Sequence, residues 1–246
     1  MNPADASSLI DQFHRMYYES REQTWGNTFW LGHRVLKCPL DLWSYQEILH
    51  ELRPELIIET GTYQGGSALF LASICDLLGQ GNVLTIDVDR RDDRPRHPRI
   101  AYLTGSSTSN AILRQVRHRV KGTAPVLVIL DSGHAKDHVL SELRAYAPLV
   151  TPGSYLVVED TNLNGHPVDS DHGPGPAEAV AEFLERNDAF VRDERREKFL
   201  LTFNPGGFLE KRETATGSAP RARSLRGRLW HYLRIGKRPA VGPKTA

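Results

Sequence analysis

Cysteine is scarce. Cys38 and Cys75 are the two in 246 residues, and neither sits in a Cys-x-x-Cys pair, which argues against a disulfide-held secreted scaffold and a thiolate zinc site. Net charge is nearly absent as well: 31 Lys and Arg against 30 Asp and Glu leave +1, so no global field draws the chain to nucleic acid or an anionic membrane. No apolar run approaches the roughly 18 residues that span a bilayer. The opening MNPADASSLIDQFHRMYYES lacks the basic start and continuous apolar stretch of a secretory signal. No internal repeat of fixed period is visible. What these absences leave is a globular chain, 39% hydrophobic and 25% charged, expected to be soluble in a reducing cytoplasm, with no nucleic-acid partner and no membrane span.

Three regions are expected. Residues 1–53 read as a helical cap: Leu9, Ile10, Phe13, Met16 and Tyr17 recur at helical spacing behind Ser7 and Ser8, and a second helix runs near Leu42 to Leu52, ending before Pro54. Residues 54–212 alternate short apolar strands with helical segments. The strands ELIIET, NVLTIDVD, RIAYLTG, VLVILDS and SYLVVEDT carry apolar side chains on both faces, and a terminal pair follows near FVRDERRE and KFLLTFNPGGFLEK. That pattern predicts an α/β fold: a Rossmann-like, mostly parallel seven-stranded sheet with helices on both faces. Residues 213–246 are rich in Arg, Lys, Pro and Gly and read as a basic, mostly disordered tail, in which Leu225, Leu229, Trp230 and Leu233 could line one face of a short helix.

Sheets of this kind bind their ligands beyond the carboxyl ends of the strands, so the residues ending each strand carry the information. After ELIIE comes Glu59-Thr60-Gly61-Thr62-Tyr63-Gln64-Gly65-Gly66-Ser67, then a helix. Glycines let the backbone turn sharply and approach a ligand, and the helix N-terminus offers unpaired N–H groups. The spacing is not the Gly-x-Gly-x-x-Gly of dinucleotide folds, and an acid at Glu59 would repel a pyrophosphate but suits a cofactor with an ammonium or sulfonium group. Asp87 closes the next strand, where an acid can accept from ribose hydroxyls. Ser106 and Ser107, after the third strand, are placed either to meet an adenine edge or to cap the next helix.

A second constellation is Asp131, Glu159 and Asp160. Three carboxylates ending two neighbouring strands repel one another unless a cation lies between them, and oxygen ligands point to Mg²⁺, Mn²⁺ or Ca²⁺ rather than structural zinc. His134, three residues beyond Asp131, is a candidate general base and equally a helix-capping or surface histidine. The long loop NLNGHPVDSDHGPGP offers His166, Asp169 and His172 to contact or cover a substrate.

The ordered blocks PLDLWSYQEIL, IETGTYQGGSALFLASI, LTIDVD, LDSGHAKDHVLSELRAYAPLV, GSYLVVEDT and GPGPAEAVAEFL resemble those of the cephalosporin hydroxylase and rhamnosyl O-methyltransferase family, over roughly residues 30 to 212. The resemblance implies a metal-dependent O-methyltransferase that uses S-adenosyl-L-methionine. By a more distant likeness to catechol O-methyltransferase, Glu59, Gly61, Tyr63, Gly65 and Ser67 would hold the amino-acid end of the cofactor, Asp87 its ribose, and Asp131, Glu159 and Asp160 the metal. That family has Asn where Asp160 stands and Lys where His134 stands. The implied acceptor is a small-molecule hydroxyl, first of all on a sugar of a glycosylated natural product or glycolipid, and the implied assembly is a homo-oligomer. A non-catalytic accessory subunit that keeps the fold, or an NAD-dependent oxidoreductase, are the alternatives. Nothing in the sequence resembles an iron oxygenase site, so hydroxylation has no support.

Overall fold

The computed structural model describes residues 2–213. The expected tail from residue 214 onward, with its Leu225 to Leu233 face, lies outside the described residues.

Two helices open the chain. Helix α1 (Pro3–Glu19) begins earlier than the sequence spacing suggests, because Asn2 and not Ser7 or Ser8 caps it: the Asn2 side chain accepts from the Asp5 N–H at 2.8 Å, and Asp5 answers in a capping box with Pro3 in the first turn. A short hairpin, β1 (Phe29–Trp30) and β2 (His33–Arg34), leads to α2 (Pro39–Leu52). Helix α2 ends where Arg53 turns left-handed ahead of Pro54. Its Tyr45, Ile48 and Leu49 are fully buried against the sheet. The described residues 2–213 form one compact unit.

The remainder alternates as β3 (Leu56–Thr60), α3 (Gly66–Leu78), β4 (Asn82–Asp87), β5 (Ile100–Thr104), α4 (Asn110–Val120), β6 (Val126–Leu130), α5 (Lys136–Tyr146), β7 (Tyr155–Val158), α6 (Pro176–Glu185), β8 (Phe190–Arg192) and β9 (Phe208–Lys211). These strands make a seven-stranded sheet in the order β5-β4-β3-β6-β7-β9-β8; the first five are parallel, and β9 runs antiparallel to both neighbours. Successive side chains of a strand point to opposite faces, so one strand feeds two cores. Ile58, Leu84, Val128 and Leu156 pack with α4, α5 and α6, while Ile57, Val83, Leu127 and Val157 pack with α2 and α3. Burial on both faces is why the strands read as unbroken apolar runs. Among the described residues no helix is long and apolar enough to cross a membrane.

The topology reverses between β3, whose next strand lies on one side, and β6, which lies on the other. That switch point opens a crevice at the carboxyl edge of the sheet.

Candidate active site

The crevice holds a cavity of about 660 Å³, with the β3–α3 turn, Asp87, Ser106, Ser107, Asp131, His134 and Asp160 in its wall. Of the residues singled out from the sequence, Gly61, Tyr63, Gly65 and Ser67 also line it, whereas Glu59 and Glu159 do not.

The turn is shaped by close backbone approach. Gly61 has φ +85°, and a Cβ there would fall 1.7 Å from the carbonyl oxygen of Asp131. Only glycine lets the β3 loop cross the end of β6 at that distance. Asp87 pins the same turn: its Oδ2 accepts from the Tyr63 N–H at 2.7 Å, and its Oδ1 accepts from the Asp89 N–H at 2.9 Å. Arg94 completes the clasp, with Nη2 3.2 Å from Asp87 Oδ2 and Nε donating to the Tyr63 carbonyl at 2.8 Å. Each carboxylate oxygen carries two lone pairs, so a further donor from the cavity can still be accepted.

Glu59 lies behind this turn. It is fully buried; Oε2 accepts from the Thr85 hydroxyl at 2.7 Å, and Oε1 has no hydrogen-bond partner. Burial pushes its carboxyl above the usual range, against the lowering influence of Lys37. Glu59 thus lies beneath the turn rather than in the cavity wall. Ser106 and Ser107 line the cavity, and the residue that caps α4 is Ser109, whose hydroxyl accepts from the Ile112 N–H.

At the other end, parallel pairing of β6 with β7 brings Asp131, Glu159 and Asp160 to adjacent strand ends. One ligand atom from each of Asp131, His134 and Asp160 lies within 4.8 Å of the others. His134 Nδ1 is 3.5 Å from Asp160 Oδ2. Asp160 adopts a left-handed backbone, φ 56°, fixed by its N–H donating to Asn204 Oδ1 at 3.0 Å. Burial raises both the Asp131 and Asp160 carboxyls, and each is raised further by neighbouring carboxylates.

Glu159 lies beside this cluster, and its Oε1 accepts from Lys37 Nζ at 2.5 Å and from the Tyr45 hydroxyl at 2.6 Å. Lys37 Nζ also donates to Asp131 Oδ2 at 2.6 Å. Burial alone would lower the Lys37 ammonium; Asp131 and Glu159 push it well above its ordinary value, so it stays charged. Lys37 and Tyr45 were not singled out from the sequence. A lone lysine before a helix has no local signature, and its partners lie 94 and 122 residues away.

Beside the cluster Ser132 donates to Glu142 Oε1 and receives His138 Nε2, both at 2.8 Å, which fastens α5 to the end of β6. Tyr18, Arg21 and Trp25 from the N-terminal segment close the far side of the cavity. From the long loop after Asp160, Leu163 reaches the cavity; His166 and His172 instead meet Glu178 and the Gly173 carbonyl.

Fold and site together define the Rossmann-like class of S-adenosylmethionine-dependent methyltransferases. Within it, the Rhamnosyl O-methyltransferase/CmcI family model matches residues 22–212, and the chain belongs to that family. It is 44% identical over 210 residues to a Rhamnosyl O-methyltransferase of Mycobacterium leprae, covering 82% of this chain and 90% of that one. Against the Rhamnosyl O-methyltransferase of Mycobacterium tuberculosis strain H37Rv it is 42% identical over 215 residues, 84% of this chain and 86% of the other. Among solved structures, one described as "cmcI-D160 Mg-SAM" superposes with a TM-score of 0.60 at 22% identity, covering 76% of this chain and 77% of that one. The O-methyltransferase TomG of Streptomyces achromogenes gives 0.51 at 21% identity, covering 76% and 81%.

Proposed function

We propose that this chain transfers the methyl group of S-adenosyl-L-methionine to a sugar hydroxyl, with a divalent cation, Mg²⁺ or Mn²⁺, held by Asp131, Glu159 and Asp160. The observation that carries the reading is the single cavity in which the glycine turn and the Asp131, His134 and Asp160 cluster face one another.

The donor set fits a hard cation: three carboxylates, each raised by burial and by a neighbouring carboxylate, gain from a positive charge between them. When bound, such an ion supplies Lewis acidity that lowers the pKa of an acceptor hydroxyl. The cofactor supplies an activated methyl on a sulfonium, so the protein's work is alignment and electrostatics. The Gly61–Ser67 turn and the α3 N-terminus would seat its amino-acid end, Asp87 its ribose hydroxyls, and Ser106 and Ser107 its base. The unpartnered Oε1 of Glu59, one layer beneath, adds negative potential under that turn.

His134 accepts the acceptor's proton in this reading. Asp160 orients the imidazole through the 3.5 Å contact, as a carboxylate orients a catalytic histidine elsewhere. Tyr18, Arg21 and Trp25 form the wall against which the acceptor rests. The names of the relatives above 40% identity support a rhamnosyl or similar deoxysugar on a natural product or glycolipid as its chemical class. Two buried, unpaired cysteines support a reducing cytoplasm as the compartment. The exposed Leu9, Phe13 and Met16 on one face of α1 support self-association, a matter of molar mass in solution.

Asp160→Ala tests the assignment. Methyl transfer to a rhamnoside should fall by more than the roughly 100-fold typical for loss of a supporting residue at a metal site. Calorimetric binding of S-adenosylhomocysteine should persist. Full activity of the variant in excess chelator would remove the metal from the reading.

A further inference from the structure

Arg21, Arg34 and Lys37 bring cationic side chains to the cavity from the N-terminal part of the chain. Two of them are already engaged. The Lys37 ammonium is held by Asp131 and Glu159 at 2.6 and 2.5 Å, and the Arg21 guanidinium lies over the Trp25 ring, 4.9 Å from its centroid. Arg34 is different: among the described residues nothing accepts from its guanidinium, and its Nε is buried without a hydrogen bond. A buried charged donor without an acceptor is costly, so it marks a place where the acceptor comes from outside the chain.

The position of Arg34 says what that acceptor is. Strand β2 crosses the start of α3 so closely that a Cβ on Gly66 would fall 2.0 Å from the Arg34 carbonyl oxygen. Helix α3 begins at Gly66 with no side-chain cap and no acid in its first turn, which leaves its leading N–H groups and its positive end open beside Arg34. Gly65, Gly66 and Ser67 line the same cavity. A free guanidinium converging with an uncapped helix start makes an anion site, and the planar fork of arginine matches a carboxylate. The cofactor has one anionic group, the α-carboxylate of its methionine portion. Its ammonium has the opposite need, which the negative potential of the unpartnered Glu59 Oε1 beneath the turn serves.

Resting on the reading of this cavity as the cofactor's seat, we infer that Arg34 is a specificity-determining residue that pairs with the α-carboxylate of S-adenosyl-L-methionine. The site then reads the zwitterionic end of the cofactor and not the nucleoside alone.

The test is calorimetric binding to the full chain, without metal or acceptor, of two ligands: S-adenosylhomocysteine and its decarboxylated analogue, in which a hydrogen replaces the carboxylate. Arg34→Met should bind S-adenosylhomocysteine at least about tenfold more weakly than the parent, the scale of one charge-assisted hydrogen bond, while its affinity for the analogue changes by less than about threefold. An arginine that merely shapes the cavity predicts equal loss on both ligands. Equal loss, or no loss on either, overturns the inference. Should Arg34→Met fail to fold, Arg34→Lys decides, since it keeps the charge and removes the fork: a loss of at least about threefold confined to S-adenosylhomocysteine supports the pairing, and equal changes on both ligands overturn it. A parent chain that binds neither ligand refutes the cofactor seat and this inference together, whereas a parent that binds both equally well refutes this inference alone.

Discussion

The wall of the cavity formed by β3 and β4 is shaped by close backbone approach and by side chains that grip its own backbone, and the wall formed by β6, β7 and the loop after them is held by side chains from distant segments. On the first wall Gly61 crosses β6 too closely for any Cβ, and Asp87 grips the N–H groups of Tyr63 and Asp89. On the second, Lys37, Tyr45, Asn204 and His14 reach in from distant segments to hold Asp131, Glu159, Asp160 and Asn162. A nucleotide-like cofactor is much the same from one enzyme of this class to the next and suits a rigid backbone mould. Acid clusters need charge balance, which only side chains provide, and a side-chain wall can be retuned residue by residue.

The sharpest break in that comparison is Gly61→Ala. The methyl group would collide with the Asp131 carbonyl at 1.7 Å, in a left-handed conformation that disfavours Ala. Overpacking against backbone and left-handed strain together should cost roughly 4 kcal/mol. Because the collision lies where the two walls meet, denaturant unfolding should show the loss of stability and calorimetry the loss of S-adenosylhomocysteine binding. Ordinary stability with tight binding would mean that the turn is softer than its geometry implies.

The same contrast explains what was legible beforehand. Backbone constraints leave local traces: the seven strands, the glycine turn, Asp87 and the acids ending β6 and β7 all stand in the order the fold uses them. The pairing that holds Glu159 is invisible locally, because a lysine, a tyrosine and a glutamate far apart in the chain carry no joint pattern until the sheet brings them together. Helix α1 began earlier than its apolar spacing suggested because capping by Asn2 and Asp5 set its start. Ser106 and Ser107 were ambiguous until Ser109 took the capping place.

If the second wall depends on side-chain chemistry, acid should loosen it first, beginning at His14. This buried imidazole stacks on Phe203 at 5.7 Å between centroids and accepts from Asn162 Nδ2 at 3.0 Å, which requires the neutral ring with its proton on Nδ1. Burial pushes its pKa down to about 4, with Asp11 opposing and Arg15 assisting. A depressed histidine stabilises the fold fully above its unfolded value of about 6.5, and that contribution is lost as pH falls toward 4. The loss should amount to at most about 3 kcal/mol by pH 4. Hydrogen exchange should show α1 and the segment around Asn162 opening between pH 6.5 and 4 ahead of the β3–α3 turn. His14→Gln, which can accept from Asn162 but cannot titrate, should flatten that dependence. Equal acid sensitivity of both walls would erase the distinction drawn here.

The mildest test concerns the seam where the loop after Asp160 meets α6. Glu178 accepts from the Gly175 N–H at 2.7 Å, from Asn164 Nδ2 at 2.9 Å and from His166 Nε2 at 2.9 Å, joining a helix cap to the loop. Burial alone would raise its pKa, but these donors outweigh burial and hold it down to about 2. A carboxylate lowered in this way stabilises the fold above its unfolded pKa, near 4.5, and the benefit disappears as pH falls through about 2. Partial exposure discounts the effect, so Glu178→Gln should cost only about 1 kcal/mol at neutral pH. The gap between parent and variant should close progressively below pH 4.5 in denaturant titrations. Because Glu178 anchors the loop without touching the acid cluster, Mn²⁺ affinity should stay within about twofold of the parent. A larger change in metal affinity would show that the loop and the cluster are mechanically one unit, and that the side-chain wall is stiffer than its separate contacts suggest.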